Sequence, residues 1–163
     1  MLIIHTALHA EARALIEFFG LKRQHDIRHF ACFASDRVFL IESGIGKTDT
    51  ATAIGWTSAY LQTEQPVWLN IGMAGHANSE VGCLRLAHRI EDQASSQRFY
   101  PPQILHPVPD SDNLVTVDQP ADKYPPDAMV DMEASAFIRS ASRFSSIELV
   151  QSIKVISDNL QHP

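Results

Sequence analysis

Short apolar runs that end in a glycine turn or an acidic residue, each tied to a stretch with helical spacing, recur along this chain of 163 residues. Runs of that length fill strands buried on both faces, and their alternation with helices restricts the chain to layered α/β folds. Residues 2–6 (Leu-Ile-Ile-His-Thr) form the first run and lead into a helical pattern over 9–19, with Gly20 placed as its C-cap. A second run, 37–42, stops at the turn Ser43-Gly44-Ile45-Gly46-Lys47, and a helix of small residues follows over 48–61. A third, 67–71, is read as breaking at Gly72-Met73-Ala74-Gly75. The pattern returns with a strand end at 128–130, a helix over 133–143 and a last strand at 153–156. The expected fold is three-layered α/β, a central mixed, mostly parallel sheet flanked by helices. Ligands in such sheets collect at the carboxyl ends of the strands.

Residues 92–127 read differently. They are rich in Pro, Ser, Gln and Asp, and only Leu114-Val115-Thr116-Val117 looks like a strand. The expectation is a loop-rich segment within a single domain spanning 1–163, a length sufficient for one sizeable core.

The net charge of -6, with no basic stripe, argues against a nucleic-acid binder and for a small-molecule partner. Cys32 and Cys83 form no CxxC pair, so two free thiols are expected. No apolar stretch approaches the roughly 18 residues of a membrane span. The N-terminus lacks the basic start of a signal peptide, so a cytoplasmic protein is the expectation.

Three groups of residues invite a chemical reading. Gly44-Ile45-Gly46-Lys47-Thr48 looks like part of a phosphate-binding loop, but Ile41 stands where that motif needs its first glycine. A tight strand-to-helix turn with inward backbone N–H groups is the reading preferred. The eight histidines share no metal-ligand spacing, so no metal is expected. The acids are more telling. Glu11, Glu133 and Asp158 each follow a strand, and parallel strands bring all three to one sheet edge. Glycosidic cleavage needs such a set: one group to protonate the leaving base, one to activate water, one to hold the sugar hydroxyls. Each also has a plainer reading, Glu11 as a first-turn helix acid and Asp158 as a turn residue.

Four segments then carry a family likeness. Ser43-Gly44-Ile45-Gly46-Lys47, Asn70-Ile71-Gly72-Met73-Ala74-Gly75, Val130-Asp131-Met132-Glu133-Ala134 and Ile156-Ser157-Asp158 resemble, in order, segments of the nucleoside phosphorylase/nucleosidase superfamily. The chain looks most like methylthioadenosine/S-adenosylhomocysteine nucleosidases and futalosine hydrolases. The resemblance implies that Asp158 protonates the purine, that Glu11 positions the attacking water, and that Glu133 binds the ribose hydroxyls beside Met132. It also implies a pocket lined by Ser43, Gly44, Gly72, Met73, Ala74 and Gly75, no cofactor, and a homodimer or larger assembly. Pro120 stands where the family supplies a base-stacking aromatic. Asn70 and Met73 offer no anchor for phosphate, which favours hydrolysis. Phosphorolysis, or nucleoside binding without catalysis, are the other readings.

Overall fold

A computed structural model describes residues 1–105, 110–121 and 123–161. Its elements, in chain order, are β1 (Leu2–Thr6), α1 (His9–Phe19), β2 (Lys22–Arg23), β3 (Ala31–Ala34), β4 (Val38–Glu42), α2 (Lys47–Leu61), β5 (Val67–His76), β6 (Leu84–Asp92) and β7 (Arg98–Phe99). Then come β8 (Ser111–Thr116), β9 (Ala128–Asp131), α3 (Ala134–Ala141) and β10 (Val150–Asp158).

The strands form one mixed sheet in the order β10-β6-β8-β9-β5-β1-β4-β3-β2, and β10 also pairs with β5. That extra pairing closes β5, β10, β6, β8 and β9 into a ring. The expected layered α/β fold is present, with part of its sheet curled shut. Parallel pairing joins β4 to β1, β1 to β5 and β5 to β10, so these strands deliver their carboxyl ends to the same edge.

The two-sided burial follows from the continuous apolar runs. Ile3, Phe39 and Ile41 face one side, packing with Trp68 against Ala53 and Ile54 of α2 and Phe137 and Ile138 of α3. Their neighbours Ile4, Val38 and Leu40 face the other side, against Ala12, Leu15 and Ile16 of α1. Adjacent residues on a strand point to opposite faces, so a sheet covered on both sides needs an unbroken apolar run. Helix α1 ends as expected at Gly20, in the left-handed conformation with φ 60°.

Three expectations change. Gly72-Met73-Ala74-Gly75 does not break a strand; β5 runs through it to His76. Glycine inside a strand here marks close approach of other groups, not a turn. Helix α3 is shorter than 133–143, with Glu133 outside it as N-cap at φ -126°. The segment 92–127 contributes β7 and β8, and β6 before it is a nine-residue strand. Residues 106–109 of that segment lie outside those described. Cys32 and Cys83 are both free, and burial pushes the Cys32 thiol up to about 12. Among the described residues no helix is long and apolar enough to cross a membrane.

Candidate active site

The first acid is positioned by its own helix start. Glu11 Oε2 accepts hydrogen bonds from the backbone N–H groups of Leu8 (2.9 Å), the N-cap of α1, and of Ala7 before it (2.8 Å). Oε1 reaches across to the N–H of Met73 at 2.9 Å, tying α1 to β5. The cap and the site residue are therefore the same side chain. A Cβ on Gly72 would lie 2.9 Å from that Oε1 and 3.2 Å from Lys154 Nζ, which explains glycine at this point of the strand.

Glu133 is 7% exposed and accepts a 2.8 Å hydrogen bond from the N–H of Gly46, the residue that starts α2. Burial first, and then the neighbouring Asp131, push its carboxyl above the usual range. Behind it lies the pair Lys154–Asp131, 2.8 Å apart, with both side chains removed from solvent. Burial alone would lower the lysine, but Asp131 and Glu133 outweigh it and hold its ammonium above the ordinary value. Asp131 is fully used otherwise: Oδ2 caps α3 at the Ala134 N–H (2.9 Å) and Oδ1 accepts from the Thr116 hydroxyl (2.8 Å).

Asp158 ends β10, opposite Gly75 of β5, after a register shift between Ile156 and Asp158. A bulge re-aims the side chain that follows it. Its two oxygens accept from the hydroxyls of Tyr124 and Ser157.

These groups share one cleft of about 240 Å³, lined among others by Glu11, Asp131, Glu133, Asp158, Met132 and Tyr124. Met73, Ala74 and Gly75 line it too, as does Pro120. Ser43, Gly44 and Gly72 do not reach the lining. Ser43 instead bonds the buried His5 ring (Nε2, 2.8 Å) and donates to the Gly44 carbonyl (2.7 Å). The chain continues through Asn70, which donates to His5 Nδ1 (3.0 Å) and accepts from Ser152 (2.8 Å). Burial, aided by Lys154, pushes His5 down to about 3, so its ring is neutral and its Nε2–H faces Ser43. This chain fastens the turn whose Gly46 holds Glu133.

The phosphate-loop likeness is settled by Lys47. Its ammonium pairs with Asp92 (2.9 Å) and Asp118 (2.7 Å) beside a separate cavity of about 550 Å³ between α2 and α3. Among the described residues no group of three or more His, Cys, Asp or Glu is arranged to hold a metal.

Asp131, Lys154 and Tyr124 were not foreseen. A lysine inside the apolar run Ile153-Lys154-Val155-Ile156 is itself a signal, since a charge in a two-sided strand needs a buried partner. Tyr124 had no such mark within its Pro-rich surroundings.

A cleft lined by four acidic side chains, with a buried cation paired to one of them, suits stabilising positive charge and moving protons. No protein-family model and no curated protein matches the sequence. Solved structures do. The MTA/SAH nucleosidase of Streptococcus pneumoniae, solved with 8-aminoadenine, has a TM-score of 0.77 at 20% identity, covering 99% of this chain and 88% of its own. The corresponding Neisseria meningitidis nucleosidase, with methylthio-immucillin-A, gives 0.78 at 19% over 99% and 87%. The futalosine hydrolase of Helicobacter pylori gives 0.79 at 14% over 96% and 87%. This chain therefore has the fold shared by those nucleosidases and that futalosine hydrolase.

Proposed function

We propose that this protein hydrolyses the N-glycosidic bond of a purine-type nucleoside. The observation that carries the reading is the meeting of Glu11, Glu133 and Asp158 in one cleft, each fixed by a different element. Asp158 gives its proton to a ring nitrogen of the base, so the base leaves neutral as the C1′–N bond breaks. Positive charge then builds on the ribosyl ring, where the carboxylates of the cleft stabilise it. Glu11, held by three backbone N–H groups, takes a proton from the water that adds to C1′. Glu133 accepts hydrogen bonds from the ribose hydroxyls, with Gly46 holding its other side. The ligands of the similar nucleosidases, 8-aminoadenine and methylthio-immucillin-A, support the purine class.

Hydrolysis is favoured over phosphorolysis by charge. A phosphate entering beside Glu11, Asp131 and Glu133 would be repelled, and the nearby Lys154 is committed to Asp131. Base release from methylthioadenosine, S-adenosylhomocysteine, adenosine, inosine and futalosine, followed by liquid chromatography with and without phosphate, tests the reading. Free base in phosphate-free buffer is expected. Base released only with phosphate would mean a phosphorylase, and no base at all would mean a protein that binds without catalysis.

A further inference from the structure

Tyr124 enters the cleft from the segment that joins β8 to β9. The end of its segment is fastened by Asn78 to the Pro126 carbonyl (3.2 Å) and by Asn113 to the Asp127 carbonyl (3.0 Å). Its start is held by Lys47 on Asp118 (2.7 Å). Between these ties the tyrosine turns into the cleft. Its ring lies against Gly75, so that a Cβ there would come within 2.7 Å of the ring Cζ and 2.7 Å of Asp158 Oδ2. Its hydroxyl donates to that same Oδ2, while Ser157 occupies Oδ1.

A base that is to receive a proton from Asp158 has to bring a ring nitrogen within about 3 Å of one of its oxygens. The bare backbone at Gly75 lies beside that carboxylate, and the phenol already occupies the space over it. Substrate base and Tyr124 therefore need the same place. From this competition we propose that Tyr124 is the cleft's own stand-in for the leaving group. In the empty protein its ring fills the slot over Gly75 and its hydroxyl satisfies Asp158, and the substrate base displaces both. The proposal rests on Asp158 being the group that protonates the base.

Displacement weakens binding, because only the fraction of molecules with Tyr124 withdrawn is competent. Once the base is seated, Tyr124 no longer touches the reacting atoms, so the effect falls on KM more than on kcat. Tyr124→Phe removes only the hydroxyl and should lower KM, and the inhibition constant of the free base, by severalfold, up to about tenfold, the scale of one hydrogen bond. Tyr124→Ala should lower both further, with kcat changed less than KM. Thermal melting checks that both variants fold. A rise in KM and in the base inhibition constant for Tyr124→Ala would overturn the proposal, since the ring would then be a wall for the bound base. Unchanged constants in both variants, or a fall in kcat alone, would also overturn it. The wild type is titrated with adenine by calorimetry in parallel. If no nucleoside is cleaved, the hydrolase reading fails, yet tighter adenine binding in both variants would still uphold displacement. No adenine binding by any form would overturn it.

Discussion

Each acid of the cleft carries two jobs, and this explains why single residues here have both a plain and a chemical reading. Glu11 caps α1 with one oxygen and holds Met73 with the other. Asp131 caps α3 and neutralises Lys154. Asp158 is freer, since its hydrogen-bond partners are two hydroxyls that can turn away. Replacement of Asp158 by Asn keeps the shape and an acceptor but removes the transferable proton. Turnover should fall by a factor of about 10² or more while nucleoside binding stays within a fewfold of wild type. Steady-state kinetics beside equilibrium binding checks this, and retention of full turnover would remove Asp158 from the role of acid. Sequence alone brought Glu11, Glu133 and Asp158 to one edge because each follows a strand. It could not pair Lys154 with Asp131, because that contact depends on the registers in which β9 and β10 each pair with β5.

At the scale of elements, the glycines of β5 mislead a linear reading. Four residues with two glycines look like a turn, and in isolation that is their commonest use. In the folded chain the missing side chains make room for Glu11 and Lys154 at Gly72, and for Tyr124 and Asp158 at Gly75. The legible part was the two-sided apolar runs of β1 and β4 and the helices they alternate with. The illegible part was β6 and the first half of β8, whose mixed polar character reflects strands that curve into the ring with one half-exposed face. A test of the close approach is Gly72→Ala. Its Cβ would meet the carboxylate end of Glu11 and the ammonium of Lys154, both tips of flexible side chains, so the protein should still fold. Overpacking of this kind costs about 1–3 kcal/mol. Displacing the Glu11 carboxylate by a fraction of an ångström or more should lower kcat by roughly ten- to a hundredfold. A denaturant midpoint near wild type with unchanged kcat would show that Glu11 does not need that place.

For the whole molecule, the buried titratable groups set the dependence of stability on pH. His5 is held neutral, with its folded value pushed down to about 3 by burial and by Lys154. The unfolded chain takes a proton on this ring near pH 6.5 and the folded chain refuses it, so stability falls as pH drops through that value. One such group costs about 1.4 kcal/mol per pH unit. Asp92 acts in the same direction at lower pH. Burial would raise its carboxyl, but Lys47, Ser95 and Ser135 outweigh that and hold it well below the usual range, so its contribution is lost on acidification. Glu133 acts oppositely, because its raised carboxyl binds a proton more readily when folded. The urea midpoint should therefore be lower at pH 5 than at pH 7; an equal or higher midpoint would contradict the neutral, buried state of His5.

The proposed hydrolysis makes one demand that neither binding without catalysis nor phosphorolysis meets, which is that the new oxygen on C1′ comes from water. Turnover of a cleaved nucleoside in phosphate-free buffer enriched in ¹⁸O-water, with mass spectrometry of the sugar product, reads that oxygen directly. The account predicts a free sugar carrying the heavy isotope at C1′, formed at a rate that Asp158→Asn abolishes. An unlabelled sugar, a sugar phosphate formed only when phosphate is supplied, or no sugar product at all would contradict it.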